Sequence, residues 1–185
     1  MEHVKDILSG GLAVEMDLSS VRLKSVSKED VPEIVQMAEK IWWHHFPGIL
    51  SDEQIRYMLA KMYSPEVMEA EIEGEKVDYR FILCREDKVG FCSFGPTEHP
   101  EEMKIHKLYM LPRFQRHGYG SGALHCIEEE CRKSGCRTMT LAVNKHNSSA
   151  IQAYKCRGFV IQESVTVDIG GGFIMDDYIM RKKLA

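Results

Sequence analysis

The stretch Leu108-Tyr109-Met110-Leu111-Pro112-Arg113-Phe114-Gln115-Arg116-His117-Gly118-Tyr119-Gly120-Ser121-Gly122-Ala123 decides how this chain is read. An apolar strand pattern enters it, a seven-residue loop follows, and glycines at 118, 120 and 122 open a helical pattern. Glycines let a backbone close tightly around a ligand, and a helix start offers unpaired N–H donors with a favourable dipole. The arrangement reads as an anion site, most naturally for phosphate. Lys104, Lys107, Arg113 and Arg116 concentrate positive charge around it, in a chain that is acidic overall.

Gly118 to Ala123 also matches G-x-G-x-x-A, the dinucleotide-binding fingerprint. That fingerprint follows its strand immediately, whereas seven residues intervene here. The acidic ribose partner is missing too, since neither Asp nor Glu lies between Gly135 and Lys155. No Gly-Lys-Ser/Thr of a P-loop is present. A nicotinamide-dependent oxidoreductase is therefore the remote alternative.

The flanking sequence predicts a mixed α/β sheet in one domain spanning 21–185, with residues 1–20 as an extension. Val21–Val26 alternates as a strand. Ile34, Met37, Ala38, Ile41 and Trp42 recur at helical spacing after start signals at Ser27 and Asp30. Ser51-Asp52-Glu53-Gln54 is a capping box ahead of a second helix carrying Ile55, Met58, Leu59, Met62 and Tyr63. Between them Trp43–Gly48 reads as an aromatic, imidazole-rich connection. Strands follow at 80–84, 88–94 and 105–110, a helix at 118–134, a strand at 138–143 and a helix at 147–157. A hairpin of 160–168 and 174–180 closes the order β-α-α-β-β-β-α-β-α-β-β.

Composition narrows the function. The 185 residues carry 24 basic and 28 acidic side chains, a net charge of −4 that argues against nonspecific nucleic-acid binding. No apolar run approaches the 18 or so residues that would cross a membrane, and the first residues lack the pattern of a signal peptide. A cytoplasmic protein is expected. Its six cysteines then read as reduced, mostly buried thiols, and the five-residue steps of Cys126, Cys131 and Cys136 match no zinc spacing. No metal is expected.

Two motifs give the chain a family resemblance. Gln115-Arg116-His117-Gly118-Tyr119-Gly120 resembles the Q/R-x-x-G-x-G/A pyrophosphate loop of the GNAT superfamily of acetyl-CoA-dependent N-acetyltransferases. Downstream, Asn147, Ala150, Tyr154, Gly158 and Phe159 fall in an N-x-x-A-x-x-x-Y-x-x-x-G-F pattern similar to that family's second signature. The Trp42–Ser64 region and Asp176-Asp177-Tyr178 resemble the branch that includes polyamine N-acetyltransferases.

The resemblance implies a single-domain fold with a splayed mixed sheet, acetyl-CoA as donor, and direct transfer to a primary amine. The acceptor is then a small, polyamine-like or otherwise cationic molecule, or a peptide, and the protein a monomer or homodimer with neither nucleic-acid nor membrane partners. It further implies that Leu108, Tyr109 and Met110 pair with the pantetheine arm, the family's bulge turning an N–H, that of Met110, toward the thioester carbonyl. Arg116, His117, Gly118, Tyr119, Gly120 and Ser121 would hold the pyrophosphate, Asn147 would bond the cofactor, and Tyr154 would protonate the departing thiolate. The family's strand glutamate is replaced by Lys104, and Ala142 stands where ribosomal-protein N-terminal acetyltransferases usually have glutamate. His106 becomes the first candidate for general base, followed by Glu102 and His99. Trp43, His44, His45 and Phe46 would form the acceptor wall. Residues 66–78, with six acidic side chains against Lys76, read as a solvated helix end or an attraction for a cationic acceptor. The absent glutamate motivates one alternative, an acyl-CoA-binding module with little turnover.

Overall fold

The computed structural model describes residues 21–74 and 76–184. The expected extension, 1–20, lies outside the described residues. Seven strands form one sheet: β1 (Val21–Ser25), β2 (Asp78–Cys84), β3 (Asp87–Pro96), β4 (Glu102–Met110), β5 (Thr138–Asn144), β6 (Val160–Gly170) and β7 (Phe173–Lys183). Their order is β1-β2-β3-β4-β5-β7-β6, antiparallel except for the parallel pair β4–β5. The mixed α/β sheet stands as expected.

Helices cover both faces. On one side lie α1 (Val31–His45), α2 (Asp52–Tyr63) and α3 (Pro65–Glu73); on the other lie α4 (Tyr119–Lys133) and α5 (Ser148–Cys156). Strand alternation divides the core accordingly: Phe81 and Leu83 of β2 pack with Ile34, Trp42, Ile55 and Met68, while Ile82 joins Leu124, Ile127, Met139 and Phe159. Each such side chain, fully buried, stabilises the fold by about 1.5–3 kcal/mol. Gly122 lets α4 lie close to β1, because a Cβ there would stand 2.7 Å from Val21 Cγ2.

Two expectations are corrected. The acidic run is a third helix, α3, capped by the Ser64 side chain on the Val67 N–H and anchored by buried Met68. Its carboxylates are largely engaged: Glu69 and Glu73 pair with Lys28, and Glu71 with Lys107. The second concerns the aromatic connection. Helix α1 runs on to His45, so helical spacing decides which of those side chains face inward.

Two features of β4 prepare the site. Ser93 pairs with Lys107 and Phe94 with Ile105, leaving His106 as the extra residue of a β-bulge. The bulge resets the alternation, so Ile105 and Leu108 both pack toward α4 while Lys107 and Tyr109 belong to the α1–α3 side. Pairing of β4 with β5 runs only from Glu102↔Thr138 to Ile105↔Leu141. Beyond it the two strands separate into a notch.

Candidate active site

The notch opens into a cavity of about 490 Å³ that reaches from the glycine loop to α1, α2 and β7. The half that the resemblance assigns to the acetyl donor is built from the two sequence motifs. Gln115 leaves the strand end by donating from Nε2 to the Met110 carbonyl, 3.2 Å away. Arg116 and Gly118 both have positive φ (62° and 75°), which turns the chain sharply into the first turn of α4. No side chain caps that helix start, so its first N–H groups are available to an anion. Gly120 borders the cavity with no atom within 4 Å of where its Cβ would be. That open space beside unpaired donors suits a pyrophosphate.

The edge of β4 offers a second set of donors. The Leu111 N–H donates to the Val89 carbonyl at 2.9 Å, so alternation turns the peptide groups of Leu108 and Met110 away from β3, into the notch. Tyr154 on α5 borders the same space, packed edge-on against Phe159 with ring centroids 5.7 Å apart. Burial pushes the Tyr154 phenol pKa well above its ordinary value, so it stays protonated at physiological pH. Its hydroxyl makes no hydrogen bond among the described residues. Leu108, Tyr109, Met110, Arg116, Gly118, Gly120, Ser121, Asn147 and Tyr154 all line this one cavity. His117 and Tyr119 do not; their rings stack on each other with centroids 6.0 Å apart.

Asn147 links the halves. Its Oδ1 accepts the Ala150 N–H at 3.3 Å, as the cap of α5, and the Ser149 hydroxyl at 3.2 Å. That orientation presents Nδ2 to His45 Nε2, 3.0 Å away. Burial lowers the His45 pKa, which suits a neutral ring accepting the amide N–H.

The other half, which the resemblance assigns to the acceptor, is walled by Ile41, Trp42, His45, Phe46, Met58 and Met175. The expected wall is thereby corrected. His45 and Phe46 face the cavity; Trp43 and His44 do not, because they fall on the opposite side of α1. Trp43 instead takes the Arg56 guanidinium over its ring at 5.2 Å, and buried Trp42 stands in its place, tilted against Phe46 at 4.5 Å. Its position four residues after Ala38, within the helical pattern, was the sequence signal for that exchange.

The expected bases share one depression, and only His106 also reaches the cavity. His106 borders the cavity at the bulge and is exposed overall; desolvation of its ring, then neighbouring Lys104 and Lys107, lowers its imidazole to about 4. Glu102 and His99 lie only in a wider depression of about 810 Å³ over the far end of β4, which His106 also lines. There Glu102 is bound to Arg181 at 2.5 Å. That depression is larger but carries neither the glycine loop nor Tyr154. A residue outside the expected set does face the acceptor half: Asp177 of β7, only 6% exposed.

Comparison with known proteins agrees with this geometry. Residues 35–159 match the model of the acetyltransferase (GNAT) family, more than half of the chain. The chain belongs to that family. As a GNAT protein it is an acetyl-CoA-dependent N-acetyltransferase. A spermidine N(1)-acetyltransferase of Thermoplasma acidophilum is 26% identical over 161 residues, covering 85% of this chain and 96% of that one. The crystal structure of PaiA N-acetyltransferase from Thermoplasma acidophilum, in complex with coenzyme A, superposes with a TM-score of 0.75 at 24% identity, covering 89% of this chain and 99% of that one. A GCN5-related N-acetyltransferase from Rhodopseudomonas palustris gives a TM-score of 0.75 at 20% identity over 92% and 99%. Among the described residues no helix is long and apolar enough to cross a membrane.

Proposed function

We propose that this protein transfers the acetyl group of acetyl-CoA directly to a primary amine of a small cationic molecule of the polyamine type. One observation carries the reading: a single cavity joins the glycine loop and Tyr154 to an aromatic chamber bordered by a buried carboxylate. Aromatic faces and a carboxylate attract an alkylammonium ion, and the spermidine-acetylating relative supports the same class. Peptide amines are the alternative acceptors.

In this reading the N–H groups at the start of α4 hold the pyrophosphate, and residues 108–110 run beside the pantetheine arm. The Leu108 and Met110 N–H groups face the thioester, where Met110 stabilises negative charge developing on the carbonyl oxygen. Tyr154, kept protonated by its surroundings, gives its proton to the departing thiolate. Direct transfer needs no cysteine nucleophile, and none of the six cysteines lines the cavity; Cys92 and Cys131 are buried, which raises the pKa of both thiols.

Thiol release from acetyl-CoA, measured against putrescine, spermidine, spermine, aminoglycosides and peptides, tests the proposal. Polyamines should give the highest kcat/KM. Tight binding of CoA without amine-dependent thiol release would favour the acyl-CoA-binding module instead.

A further inference from the structure

The two adjacent carboxylates of β7 have different fates. Asp176 is satisfied: it pairs with the Lys145 ammonium and accepts the Thr166 hydroxyl at 2.8 Å. Asp177 is 6% exposed, borders the acceptor half of the cavity, and makes no hydrogen bond or ion pair among the described residues. A buried carboxylate without a partner destabilises a fold, which ordinarily eliminates or pairs it. We infer that Asp177 binds the ammonium group of the acceptor amine and takes its proton; this rests on the proposed polyamine-type acetyl transfer.

The surroundings leave it free for that task. The two lysines at this end of the cavity are otherwise engaged. Lys145, which also acts on Asp177 through space, pairs with Asp176, and Lys107 donates to Glu71 at 2.9 Å and to the Tyr79 hydroxyl. Arg116, the remaining cation of the lining, belongs to the glycine loop. The neighbouring imidazole, His45, already receives the Asn147 amide. Across the β5–β7 ladder Asp177 faces Asn144, whose side chain accepts the His146 N–H at 2.9 Å. Its diagonal neighbour on β5 is Ala142, which presents only a methyl group to the cavity. Burial pushes the Tyr109 phenol up to about 12, with Asp177 adding a smaller rise, so that phenol offers no competing charge. Burial, then Asp176, raises the Asp177 pKa itself, making it a stronger base than a solvated carboxylate.

The proton balance closes. Asp177 accepts one proton from R–NH3+, and the freed amine attacks the thioester carbonyl. The C–N bond forms, the C–S bond breaks, and Tyr154 protonates the thiolate sulfur. The second proton lost by nitrogen restores Tyr154, and Asp177 returns its own to solvent. One proton is released for each amide formed.

Asp177→Asn keeps the shape and removes the charge. Its kcat/KM for spermidine should fall about 100-fold, with acetyl-CoA affinity kept and Tm unchanged or higher. Aminoacetonitrile, uncharged at pH 7, needs neither the ion pair nor the first proton transfer, so its kcat/KM should fall less than about tenfold. Asp177→Ser carries the same expectation should the amide disturb folding. Loss of less than threefold on spermidine overturns the assignment, and so does an equal loss on both amines, the mark of a structural role. If the wild-type protein binds CoA but acetylates no polyamine, the proposed function fails first, and the assignment with it.

Discussion

The donor and acceptor halves of the cavity are made in different ways. Two contiguous stretches, 108–121 and 147–154, supply the half assigned to the donor, where the glycine loop and the strand edge offer backbone N–H groups. The acceptor half is assembled from side chains of α1, α2, β5 and β7, far apart in sequence. A backbone cradle tolerates change in most side chains provided its turns survive. A side-chain wall changes its ligand with every substitution. On the proposed reading, the reaction is encoded locally while the choice of amine is distributed over the fold.

The sharpest way to probe the donor half is through the side chain proposed as its acid. Tyr154→Phe removes only the hydroxyl, which has no partner among the described residues, so packing on Phe159 survives. The proposed acid role predicts a fall in kcat of about 100-fold or more, with acetyl-CoA affinity and Tm preserved. Unchanged kcat in steady-state assays would return Tyr154 to the core.

Gly120→Val tests whether the cradle is backbone-made. Its Cβ position meets no atom within 4 Å, so the fold should accept valine. The added methyls would occupy the space assigned to pyrophosphate. Acetyl-CoA binding measured by calorimetry should weaken about 30-fold, or about 2 kcal/mol, while Tm changes little. Undiminished affinity would move the anion away from the start of α4.

This division explains what the sequence disclosed. Residues 108–123 and 147–159 announce the sheet, the glycine turn and Tyr154 because spacing along the chain is the functional geometry there. The exchange of Trp43 for Trp42 depends on whether α1 ends at residue 42 or 45, a matter settled by packing against α2 and β4. Helix α3 was hidden by its charge, since an acidic run with one buried methionine has almost no apolar periodicity. Glu102 looked available because its partner Arg181 lies 79 residues away. The resemblance marked Asp176 and Asp177 together but could not tell them apart: they have the same side chain, and only tertiary contacts separate the satisfied carboxylate from the free one.

The contact between Asn147 and His45 is where the halves meet. A double-mutant cycle with Asn147→Ala and His45→Ala should give a coupling energy of about 0.5–1.5 kcal/mol in stability, the range of a single partly buried hydrogen bond. Strict additivity in chemical denaturation would show the halves to be energetically separate.

The smallest effect, and the one most particular to the acceptor half, is its response to acid. His106 has a folded-state pKa near 4 against 6.5 unfolded, so between those values the unfolded chain binds more protons. Its contribution to stability is complete above pH 6.5 and is lost as pH falls toward 4. Asp177 runs the other way: its folded pKa is raised, so its penalty is present at neutral pH and is relieved as the carboxylate protonates. The two slopes oppose each other in mildly acidic solution. Urea denaturation across that range should show His106→Gln flattening the acid-side loss of stability. Asp177→Asn should raise stability at pH 7 and steepen the loss below it. Identical pH slopes in the two variants would mean that neither group feels the interior, and the acceptor half would then be as solvent-exposed as a surface groove.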